Sequence, residues 1–165
     1  MSGRLGLQYA FRRLHAGEND LAQHLITVAD RHIAEHEVHH VATDLAIWSR
    51  RHVAALAETA ADHGIDLDAK ADQPSKMTQA VNKVVAAVGV RRPEPGIVLL
   101  EDLRDVYLMA SDNSLAWEML AQHAQAGHET DILDLTKQCH PQTLRQIRWA
   151  NTMLKTTCPQ VLSSL

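Results

Sequence analysis

Aromatic side chains are scarce here, with Trp, Tyr and Phe together supplying 4% of a chain that is 45% hydrophobic. The apolar mass comes instead from Ala, Leu and Val, which suits close-packed helices better than a sheet of β-branched and aromatic residues. An all-α fold is expected. Cysteine is scarcer still: Cys139 and Cys158 are the only two, and they form no Cys-x-x-Cys pair, which leaves no thiolate zinc motif and no disulfide framework. With no signal-peptide pattern at the N-terminus, the reading is a cytoplasmic protein. No apolar run approaches the roughly 20 residues of a membrane span. Basic runs are missing as well, and 16 Lys and Arg against 20 Asp and Glu give a net charge of -4. A nucleic-acid partner therefore has little electrostatic support. The chain also lacks a Gly-rich phosphate loop, a His-Glu-x-x-His motif and a nucleophile elbow, so the motif-bearing enzyme classes are unsupported and any small-molecule ligand stays unknown.

What is present in excess is histidine, 11 residues in all, eight of them before residue 64. The 165-residue chain is long enough to bury a core without staples, and one domain over 1–165 is expected. Leu7, Phe11, Leu14, Leu21, Leu25 and Val28, with Ile33 beside them, recur at steps of three and four, so they share one helical face. Glu18, His32 and Glu35 interrupt that seam with ionisable groups. The spacing predicts a first helix over about 5–35, weakened at Gly17. A tight turn at His36–His40 leads to a second helix over 38–63 with Val38, Val41, Leu45, Trp48, His52, Ala55 and Thr59 on its seam, ending at Gly64. A single helix over 5–63 is the rival reading. Residues 64–96 form a connection with a short amphipathic helix at about 75–88, its inner face carrying Met77, Val81, Val84, Val85 and Val88. A third helix covers 97–126, with Leu99, Leu103, Val106, Ala110, Trp117, Leu120 and Ala124 inward, and Gly127 ends it. A fourth covers 129–157 through Leu133, His140, Leu144, Ile147 and Leu154, kinked or divided at Pro141.

Two short-turn hairpins joined by a connection of about thirty residues resemble the ferritin-like superfamily of four-helix bundles. That resemblance implies an all-α, ferritin-like fold whose long crossover leaves the second and third helices parallel. It also implies a metal site between helices, built in that family from a Glu on each of two helices and a Glu-x-x-His on each of the other two. Only part of that ligand set is visible: the fourth helix has no Glu-x-x-His, and Glu37-x-x-His40 falls at one end of the second.

Reflecting each hairpin about its turn places Glu18 near His52, with His140 and Asp112 at the same level. This central layer is the first candidate site, with iron, manganese or zinc as the fitting ions; no metal at all is the alternative, a buried Glu–His hydrogen-bonded pair that fixes helix register. The second candidate is the turn cluster of His32, Glu35, His36, His39 and His40, expected to approach Glu101, Asp102 and Asp105, or else a solvated polar turn. Two functional readings follow. One is a metal-binding bundle, the other a non-catalytic module that binds a partner or itself, a homo-oligomer being expected. Histidines concentrated in one hairpin also suit a response to pH between about 5 and 8.

Overall fold

The computed structural model describes residues 2–71 and 94–165 and is an all-α four-helix bundle. Its helices are α1 (Ser2–Arg31), α2 (His36–Asp62), α3 (Pro95–Gly127) and α4 (Thr130–Ser163). The expected short helix at 75–88 lies outside the described residues. Helix α1 packs on α2 and α3, and α4 packs on α3 and α2, so α1/α4 and α2/α3 face each other across diagonals.

The two halves of the core fix the helix directions. One half joins Leu7, Phe11 and Leu14 of α1 to Leu56 and Ala60 late in α2, Trp117 and Leu120 late in α3, and Ile132 and Leu135 early in α4. The other joins Leu21, Leu25 and Val28 to Val38, Ala42 and Leu45, then to Leu99, Leu103 and Val106, and to Ala150. Neighbouring helices are therefore antiparallel, while α2 and α3 run parallel across a diagonal. The end of α2 and the start of α3 lie at opposite ends of the bundle. Already in its first residues the connection turns back along α1: Arg4 donates to the Gly64 carbonyl at 3.4 Å and His15 Nε2 to the Asp68 carbonyl at 2.7 Å.

Local signals explain most boundaries. Gly64, at φ 70°, closes α2 in a Schellman motif, its N–H reaching the Ala61 carbonyl while that of Ile65 reaches Ala60, and buried Ile65 supplies the accompanying apolar contact. Pro95 occupies the first turn of α3, where its missing N–H costs nothing. At the other end of α3 the left-handed residue is His128 (φ 56°), one place beyond the Gly127 expected to end the helix.

The hairpin reading of residues 2–62 holds over the single-helix rival. Two expectations change. The first turn falls at 32–35, four residues early, so His36, His39 and His40 open α2 and do not form the turn. Helix α4 is not divided at Pro141 and contains Pro159 as well; Pro141 is exposed, so the Lys137 carbonyl that loses its helical donor lies on the wet side of the bundle.

Helix phase decides which residues reach the core. On α1 and α3 the predicted seams are the buried ones: Leu7, Phe11, Leu14, Leu21, Leu25 and Val28, and every named residue from Leu99 to Ala124. On α4 the buried set is Ile132, Leu135, Thr136, Cys139, Thr143, Gln146 and Ala150. This is the predicted seam turned by one residue, about 100°, and Leu144 is consequently exposed. Helix α2 keeps Val38, Leu45 and His52 inside but buries Ala42, Ser49, Val53 and Leu56 in place of Val41, Trp48, Ala55 and Thr59.

Candidate functional site

Between the two apolar halves lies a polar layer to which all four helices contribute. Glu18 from α1 is fully buried and His52 from α2 nearly so, at 1% exposure. Glu18 Oε1 accepts the indole N–H of Trp117 on α3 at 2.9 Å and the hydroxyl of Thr143 on α4 at 3.5 Å. His52 Nδ1 stands 3.1 Å from the same oxygen, without hydrogen-bond geometry, and the imidazole meets the Trp117 ring edge-on at 5.8 Å. The other nitrogen, His52 Nε2, is 2.8 Å from Gln142 Oε1. One turn along α4, Gln146 donates to the Leu45 carbonyl and the Ser49 hydroxyl, at 3.1 and 2.9 Å.

These distances constrain the protons. An amide oxygen only accepts, so His52 Nε2 must carry the hydrogen in its bond to Gln142. The neutral ring would then turn the Nδ1 lone pair toward a carboxylate oxygen, which is repulsive. Reversing the Gln142 amide removes this repulsion, since Nε2 then accepts from the amide and Nδ1 carries the ring proton. Glu18 Oε2 has no hydrogen-bond partner among the described residues, nor do Asn113 Nδ2 and Gln146 Oε1. Cys139 borders the layer: burial first, and the Glu18 charge second, push its thiol up to about 12 from an ordinary 9.0, so it is held as a neutral, weakly nucleophilic group.

Two of the four residues expected in this layer are brought together, Glu18 and His52. His140 is not among them. The rotated phase of α4 sets it on the flank between α3 and α4, where its Nε2 is 2.8 Å from Ser114 Oγ and its Nδ1 3.9 Å from Glu118. Asp112 is on the surface, paired with Arg13 at 2.7 Å. Their places are taken by Trp117, Gln142, Thr143 and Gln146. Thr143 and Gln146 share the three-and-four spacing of Cys139 and Ala150, a signal visible once α4 is phased on that stripe. Beside the layer, Gly17 lets α1 approach α3 closely, since a Cβ there would collide with the buried Asn113 amide.

The turn cluster divides in the same way. His32, 8% exposed, reaches α3, its Nε2 2.7 Å from Asp102 Oδ2. Arg31 donates to both oxygens of that carboxylate at 2.7 and 2.9 Å, and His24 to the Asp102 backbone carbonyl at 3.2 Å. A buried Asp102 is thus held by two cationic or imidazole groups, which pins the second turn of α3 to the end of α1. Neither Arg31 nor His24 stood out in the sequence. His39 Nδ1 donates to the Ala29 carbonyl at 2.7 Å, while His36 and His40 stack on the α2 surface with centroids 6.5 Å apart. Glu35 and Glu37 are exposed, and neither Glu101 nor Asp105 meets these histidines, both instead flanking Arg104.

Among the described residues, no group of three or more His, Cys, Asp or Glu side chains is arranged to hold a metal ion, and no helix is long and apolar enough to cross a membrane. The chain matches no protein-family model, and no curated protein or solved structure is significantly similar to it.

Proposed function

We propose that the chain is a ferritin-like helical bundle that works as a non-catalytic interaction or oligomerisation module, its buried polar layer fixing helix register without a metal. The observation that carries this reading is the set of partners around Glu18 Oε1: an indole N–H, a hydroxyl and an imidazole, one from each of the other three helices. The indole and the hydroxyl donate hydrogen bonds to that oxygen, and only the imidazole, 3.1 Å away without hydrogen-bond geometry, is a good metal ligand. They tie Glu18 to one axial position on every neighbour, as a register device does. The parallel α2 and α3, with a connection between opposite bundle ends, support the ferritin-like comparison at the level of topology.

A second reading is favoured by one specific feature, the unpartnered Oε2 of a buried Glu18 carboxylate whose Oε1 is 3.1 Å from His52 Nδ1. Here Glu18 and His52 would contribute two ligands to iron, manganese or zinc, with water completing the shell. Elemental analysis of protein purified without an affinity tag separates the two. Register setting predicts metal-free protein whose melting is unaffected by chelator. Stoichiometric metal that disappears in Glu18→Gln overturns it.

A further inference from the structure

The outer face of α3 carries a self-complementary apolar stripe. Successive steps of four, three, four and three residues link Arg104, Leu108, Ser111, Leu115 and Glu118, so they form one stripe along the helix. The stripe lies opposite the buried row of Leu103, Val106, Ala110, Trp117 and Leu120. Leu108 is 47% exposed and Leu115 66%. Tyr107 and Met119 are also exposed large hydrophobics, and by helical phase they border the stripe. Isolated exposed leucines are ordinary, but here the apolar residues are aligned, with a small residue at the midpoint and opposite charges at the two ends.

We infer that this face docks a second copy of the chain, antiparallel, about a two-fold axis passing near Ser111. The charges select both the occupant and the direction. Arg104 and Glu118 each lie seven residues from Ser111, about 10 Å along the helix. A two-fold axis there exchanges the two halves of the stripe, so Arg104 of each protomer meets Glu118 of its partner while Leu108 and Leu115 pack across the centre. A parallel copy would instead place Arg104 on Arg104 and Glu118 on Glu118. Both side chains are exposed, at 57%. Among the described residues Arg104 is tied to its helix neighbours Asp105 (3.2 Å) and Glu101 (3.9 Å), weak exposed pairs that leave it able to serve a partner. An isologous patch of this kind closes on itself as a dimer.

The inference rests on the oligomerisation reading, and its test is independent of the metal question. Sedimentation and light scattering of the full chain should give a dimer, and Leu115→Glu a monomer that still unfolds in one cooperative transition, with a melting temperature no longer dependent on protein concentration. Arg104→Glu or Glu118→Arg alone should weaken dimerisation about tenfold, as two exposed charge pairs become repulsive. Combined in one chain, the two substitutions should restore it to within about twofold, since the pairing is only inverted. A wild type that stays monomeric up to its solubility limit, a dimer indifferent to Leu115→Glu, or a double variant no better than the singles overturns the inference. A monomer that remains metal-free and cooperatively folded leaves register setting by the polar layer intact.

Discussion

At the scale of single residues, the consequences of burying Glu18 differ sharply with the replacement. Glu18→Ala strips the Trp117 indole N–H of its acceptor and leaves His52 against a void, so a loss of about 3–5 kcal/mol is expected, as for breaking a buried pair by removing one partner. Glu18→Gln keeps the acceptor oxygen and the shape, and about 1–3 kcal/mol should be lost. Replacing both Glu18 and His52 with leucine removes both desolvated groups but still leaves the Trp117 N–H without its acceptor, so a loss of about 1–3 kcal/mol, smaller than for Glu18→Ala, should remain. Chemical denaturation of the three variants checks the order. A double variant worse than Glu18→Ala would mean that the pair is more than a register device.

Cys139 gives a second prediction at the same scale. Its ionisation is raised from 9.0 to about 12 by burial and by the Glu18 charge, so the folded protein keeps this proton where the unfolded chain releases it. The sign follows: unfolding is favoured as pH rises from about 9 toward 12, and the contribution is absent below 9. In titrations with a thiol reagent at neutral pH, the partly exposed Cys158 should react in the folded state and Cys139 only on unfolding.

At the scale of the helix, endings and phase matter more than propensity. The left-handed residue that closes α3 is His128, with φ 56°, although Gly127 stands immediately before it. A side chain in this conformation costs about 1–2 kcal/mol that glycine would not incur. His128→Gly should therefore raise stability by about 0.5–1 kcal/mol, read as a higher denaturation midpoint with an unchanged slope. Phase explains the misplaced His140. In α4 the stripes through Leu133, Leu144 and Leu154 and through Ile132, Leu135 and Ala150 are both apolar enough to serve as a seam. The buried one contains Thr143 and Gln146, whose polarity disguises it in the sequence and whose hydrogen bonds to Glu18, Ser49 and the Leu45 carbonyl make it tolerable inside.

At the scale of the whole molecule, the two ends of the bundle are fastened by different chemistry. One end has the buried Asp102 with Arg31 and His32; the other has the exposed pair of His63 on α2 and Asp131 on α4, 2.7 Å apart. The His63 hydrogen bond holds the Asp131 carboxyl below its ordinary 3.8. Stability from this contact is accordingly present above about pH 3.8 and lost as pH falls through the lower folded value. Because Asp131 is about half exposed, Asp131→Asn should cost no more than about 0.2–1 kcal/mol near neutrality. Wild type and variant should then converge in an acid titration of the melting temperature.

The sequence by itself determined the all-α class, the number of long helices, the inward faces of α1 and α3, and the pairing of Glu18 with His52. All of these depend on a period of 3.6 residues and on short turns, which are local quantities. Tertiary structure alone decided the phase of α4, the departure of His140 and Asp112 from the central layer, and the arrival of Trp117, Thr143 and Gln142 in it. It also drew Arg31 and His24 to Asp102. The reason is that rotation of a helix about its axis is set by what its neighbours can satisfy. A polar residue joins a buried face only when another helix offers it a hydrogen bond, and that offer is written nowhere in the residue's own segment.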